Sequence, residues 1–193
     1  MALWGITDAD EAKPKWLTTA QKKEVFANNS GWVVEAGSTQ TGNDNTDAQP
    51  EVLCCVGDLA TGIGAADITE IEFITTAFDK SDGGNIDVRV RFNEQVTVNT
   101  SGGTPTLTIT NDTPARNLTA TYLSGSTTNE LIFRKTIAAA NAATNADDVL
   151  VIGANPLALN SGTIKDTADG TTNATITSAA SIGTAAGSIT VTA

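Results

Sequence analysis

The chain has 193 residues, 40% of them apolar, with no histidine and a net charge of -11. That length suits one domain, or one domain with an extended arm, and an acidic surface repels nucleic-acid backbones and anionic membranes, so neither is an expected partner. Without histidine, Ser-His-Asp triads and Cys-His dyads are excluded, and no carboxylate pair sits in an apolar stretch suited to two-carboxylate hydrolysis; no enzyme, catalytic residue or cofactor is expected.

The chain opens "MALWGITDADEAKPKW". This stretch has neither a basic n-region nor an apolar h-region, so it does not read as a signal peptide. No apolar run of about 18 residues follows anywhere, so no membrane span is expected. Trp4, Trp16 and Trp32 all precede Asp67, as does the basic cluster Lys13, Lys15, Lys22 and Lys23. Pro14 breaks any early helix and suggests an extended start. A helix is predicted over about residues 18–28, with Thr18 as its cap, Gln21 as the return partner and Gly31 beyond its end. "EAGSTQTGNDNTDAQP" reads as a loop. "EVLCCVGDLATGIG" reads as a buried strand. Its adjacent Cys54 and Cys55 are poorly placed to bridge each other, and read as buried thiols of a protein folded in a reducing cytosol. This region looks too short and interrupted to build a core of its own, so residues 1–67 are expected to form an extended, partly helical arm that packs on something else.

From Ile68 onward the apolar period becomes two. Strands are predicted at Glu70–Phe78, Asn85–Phe92, Gln95–Asn99, Thr106–Asn111, Asn117–Leu123, Glu130–Thr136, Asp148–Ile152 and Ser188–Thr192. Val88, Val90 and Phe92 share one face, as do Leu107 with Ile109 and Leu131 with Phe133. "KSDGGN", "TSGGTP", "NDTPAR" and "SGSTTN" supply turns between them. Residues 136–148 have some helical propensity, but Asn and Thr interrupt it and a strand follows at once. Short strands at this spacing suggest a mainly β protein, an antiparallel sandwich over residues 68–193. Asp79, Asp82, Asn85 and Asp87 surround a double glycine and are a candidate calcium loop, although their spacing fails the EF-hand pattern and a solvated hairpin turn explains them better.

"VRVRFNEQVTV", "GTPTLTITN", "ATYLSGSTTNELIFRKTI" and "NPLALNSGTIKDTADGTTN" follow one another in the order seen in bacterial Ig-like β-sandwich modules, which this part of the chain resembles. The resemblance covers about two thirds of the chain and implies adhesion, display or spacing. "MALWGITDADEAKPKWL" and "EVFANNSGWVVEAGSTQTGNDNTDAQPEVLCCVGDLATGIGAADIT" are similar to the N-terminal part of small virion structural proteins of tailed marine phages, cyanophages included. That likeness implies a particle component, with a capsid decoration or cement protein as the first expectation. A neck, tail or fibre-associated protein is the alternative, and a cell-surface Ig-like adhesion module is another.

The implied partner is a major capsid protein or another virion protein, with homo-oligomers and weak host-surface or glycan contacts as additional expectations. The implied location is the virion, after folding in the host cytoplasm. The residues expected to anchor the arm are Trp4, Trp16, Trp32, Lys13, Lys15 and Phe26, since tryptophan is enriched at the energetic centres of interfaces. The tryptophans could equally cover the base of the sandwich within the chain, and the lysines could form a solvated helix face.

Overall fold

The computed structural model describes residues 13–193 apart from residues 39, 43 and 141, so Trp4 lies outside the described part. Near its start, the Leu17 amide donates to the Pro14 carbonyl across 3.2 Å, closing a turn. Thr18 then caps α1 (Thr19–Lys23), and both halves of the expected capping box with Gln21 are present. The helix ends well before residue 28. Val25 and Phe26 are poor helix formers, and they begin β1 (Val25–Asn28), which turns back through Asn29 and Ser30 into β2 (Gly31–Val34). Gly31 is therefore a hairpin residue, not a helix stop. Its φ is +133°, and a Cβ there would lie 2.0 Å from the Cys54 carbonyl oxygen.

β3 (Glu51–Cys55) pairs with the other side of β2 and forms an edge of the sheet. α2 (Leu59–Gly62) follows. Leu17, Val25, Ala27, Trp32, Val34, Leu59 and Ile63 enclose a hydrophobic cluster of their own. Over its described residues the expected arm, extended, partly helical and without a core, is instead a small antiparallel meander with two short helices and a core of its own. Leu17 of the N-terminal turn, the β1–β2 hairpin, and Leu59 and Ile63 of the α2 segment bring enough apolar side chains together to make one. The buried-thiol reading also fails. β3 has a strand on one side only, so Cys55 is exposed, Cys54 is partly covered, and Val52 is 53% exposed.

The rest of the chain is mainly strand. It runs β4 (Ile68–Phe73), β5 (Phe78–Asp79), β6 (Gly84–Asn99), β7 (Thr106–Asn111), β8 (Leu118–Ser124), β9 (Thr128–Ile137), β10 (Val149–Val151), β11 (Leu157–Ala158), β12 (Thr163–Asp166), α3 (Ala180–Ala185) and β13 (Ser188–Thr192). Among the described residues of 136–148 no helix forms. The described strands join in one large mixed sheet, ordered β3-β2-β1-β6-β9-β8-β7-β10-β13-β5, with β11 on β7 and both β12 and β4 on β6. It is not wholly antiparallel, because β1 meets β6, and β5 meets β13, in parallel.

β6 is the spine. Its first half lies between β4 and β9; past a bulge between Arg91 and Val96, its second half pairs with β12, and Glu94 bridges to Ala27 of β1. Period-two alternation places Val88, Val90, Phe92, Leu107, Ile109, Leu131 and Phe133 at 0% exposure in one core. That core begins at Ala66, just beyond the last member of the first cluster, Ile63.

A candidate docking site at the N-terminal turn

Lys15 and Trp16 occupy the tip of the turn closed by Pro14 and Leu17. Pro14 and Leu17 are buried on either side of it, Leu17 in the small core. The tip is thereby held outward on a braced base, with Lys15 exposed and Trp16 57% exposed. Phe26 and Trp32 are buried inside the chain at 2% and 0% exposure. Trp32 belongs to the small core, while Phe26 faces a cleft that Glu35 and Asn129 also line. Of the described anchoring residues, the fold thus presents Lys15 and Trp16 together and encloses the other two aromatics. Lys13 is half-buried, and its Nζ donates to the Lys22 carbonyl across 2.7 Å.

Beside α1 lies an ionic network that links α1 and the residue after β2 to β4, β6 and β9. Register places Glu70 and Glu72 of β4 opposite Arg91 and Arg89 of β6, and Glu130 of β9 opposite Arg91 on the other side. Arg91 Nη1 donates to Glu70 across 2.8 Å, and its Nε donates to Glu130 across 2.6 Å and to Glu35 across 3.2 Å. Arg89 joins Glu72 and Glu130, and Lys23 of α1 closes the array on Glu70. Burial would raise Glu70, but hydrogen bonds from Lys23 and Arg91 outweigh it and hold the carboxyl below its ordinary range. Burial, reinforced by the neighbouring Glu130 charge, pushes Glu35 up to about 7 against the opposing pull of Arg91 and Asn129. Burial likewise pushes Lys13 down to about 8.

Sequence patterning did not single out this network, yet its trace is present. "TEIEF" and "VRVRF" alternate acids and arginines at the same period, and each set occupies the face opposite the core residues. Matching outward charges on two strands is the signal that pairs them.

The candidate calcium loop is not assembled. Asp87 pairs with Arg134 at 2.6 Å, Asn85 Oδ1 accepts from Thr136, and Asp79 Oδ1 accepts from Ser81. Among the described residues, no group of three or more acidic, cysteine or histidine side chains is placed to hold a metal ion. No helix of the described residues is long and apolar enough to cross a membrane. The chain matches no family model, no curated protein and no solved structure.

Proposed function

We propose that this chain is a non-enzymatic structural protein of a phage virion. It is a capsid decoration protein that docks through the Lys15–Trp16 turn and displays an Ig-like β-sandwich outward. The observation that carries this reading is the braced turn, which leaves Trp16 57% exposed beside the exposed Lys15 while Phe26 and Trp32 are enclosed. A half-exposed Trp beside a Lys suits an apolar pocket with an acidic rim on a capsid protein. Copies arrayed on a lattice would multiply one modest contact through avidity. The sandwich reading draws support from β6 and β7, each of which changes partner midway, while the strands beyond Ala66 contribute to one core.

Binding of the full chain to empty capsids tests the docking mode. The double variant Lys15→Glu, Trp16→Ala should bind at least about tenfold more weakly, a loss of some 1.4 kcal/mol, with its thermal unfolding unchanged. Undiminished binding by that variant would sink the docking mode. Cryo-electron microscopy of the source particle tests the assignment itself. Density on the outer shell supports decoration, density at the neck or tail moves the protein to that position, and absence from the particle removes the virion reading.

A further inference from the structure

A cavity of about 400 Å³ lies between α1 and the β4–α3 region. Lys13, Lys22 and Lys23 form one wall, and Thr69 of β4 with Ser181 and Ile182 of α3 form the other. This concentration of ammonium groups is unusual in a chain whose net charge is -11. Glu70 is the acid among the lining residues, and it is already engaged by Lys23 and Arg91. The wall therefore carries more positive than negative charge, and the space is large enough for a small ligand. Thr19, Thr69 and Ser181 add hydroxyls that both donate and accept, while Ile182 and Ala185 add an apolar floor.

We infer that this cavity binds a sugar-acid anion, a carboxylated polyol of single-monosaccharide size. Its carboxylate meets the lysines, its hydroxyls meet Thr69 and Ser181, and its C–H face rests on Ile182. The inference stands on the cavity and is separate from what the Lys15–Trp16 turn docks on. Such a ligand would touch α1 of the small meander and both β4 and α3 of the large part, tying the two together.

The pH response follows from Lys13. Burial lowers it to about 8, Glu35 and Glu70 pull it upward, and Arg91 and Lys22 push it down. A bound carboxylate stabilises the charged ammonium and raises that value, so binding takes up protons and weakens as pH rises through about 8.

Titrating the full chain with D-glucuronate while following backbone amide resonances tests the proposal. Saturable shifts at Thr69, Ser181 and Ile182, with a Kd of about 1 mM that weakens with added salt, are expected. D-glucose and sulfate at equal concentration should leave those amides unmoved. Lys22→Glu should weaken glucuronate binding at least about tenfold without altering thermal unfolding, and Ser181→Leu, which fills the cavity, should abolish it. The proposal is overturned if glucuronate gives no saturable shift, or if Lys22→Glu binds as well as the parent. A response to glucose or sulfate equal to that for glucuronate would also overturn it, since either would remove the sugar-acid class.

Discussion

Trp16 and Trp32 differ in what surrounds them, and so in what their loss should do. Trp32 is enclosed with Val25, Val34 and Leu59 at 0% exposure, whereas Trp16 is 57% exposed. Trp32→Ala removes a large buried ring and should cost about 3–5 kcal/mol. Trp16→Ala should change stability by less than about 0.5 kcal/mol. Urea unfolding of both variants checks the contrast; equal losses would mean that the turn is part of the core. Glu35 offers a second test at this scale. Its folded value of about 7 lies above its ordinary 4.5, so between those pH values the folded state holds a proton that the unfolded state has released. Stability attributable to this group is present at low pH, declines as pH rises from about 4.5 to about 7, and is level above that. Glu35→Gln keeps the amide-sized side chain without the titration. The stability difference between parent and variant should shift by on the order of 1–3 kcal/mol between pH 5 and pH 8, in the direction of a parent that weakens with pH.

At the scale of elements, burial decides what a strand-to-strand ion pair is worth. The Arg91 side chain is 7% exposed among Glu35, Glu70, Glu72 and Glu130, while Arg134 is 38% exposed beside Asp87. Arg91→Met leaves several glutamates crowded without their shared cation and should cost about 3–5 kcal/mol. Arg134→Met should cost less than about 1 kcal/mol. Chemical denaturation of the pair would reveal any other ordering.

The elements also show where pattern is a sufficient guide. Thr106–Asn111 and Ser188–Thr192 were legible to the residue, because strict alternation ran between clear turns. Pattern alone separates Gln95–Asn99 from Asn85–Phe92, but both lie on one 16-residue strand. Asn93 and Glu94 interrupt the alternation, and the bulge that absorbs them is a property of the β6–β9 pairing rather than of local sequence. Strands β11 and β12 and helix α3 are short, and partners distant in sequence specify them; β12, for example, forms because Ile164 meets Val98. The exposure of Cys54 and Cys55 was hidden for the same reason. An apolar run looks alike whether one neighbour covers it or two.

For the molecule as a whole, the presence of two clusters divides stability unequally. The small core draws on seven buried side chains of residues 17–63, and the large core on many more. β1 reaches β6 through one parallel bridge, Ala27 to Glu94, supplemented by the charges around Arg91. Native-state hydrogen exchange should therefore show β1–β3 opening at lower denaturant than β6 and β9, by a sub-global route. Coincident opening of both regions would show instead that the junction makes them one cooperative unit. The apolar period changes near Asp67, and the two hydrophobic clusters fall before and after residues 64–65. That residues 17–63 enclose a core of their own was not legible, since its members come from a turn, a hairpin and the α2 segment, whose closure composition does not encode. The exposed Lys15–Trp16 turn was half legible. Lys15 and Trp16 stood out by residue type, but only the burial of Pro14 and Leu17 separates an indole held outward from one folded in.

The parallel contact between β5 and β13 sets how the molecule bears tension. Phe78 lies beside Val191 and Asp79 beside Thr192, the Lys80 amide donates to the Thr192 carbonyl, and the Thr192 hydroxyl donates to the Phe78 carbonyl. If the small meander is fixed to a surface and the far end of β13 is pulled, the two strands are drawn lengthwise past each other. The bonds between them then carry the load together as a shear clamp, rather than parting one after another like a zip.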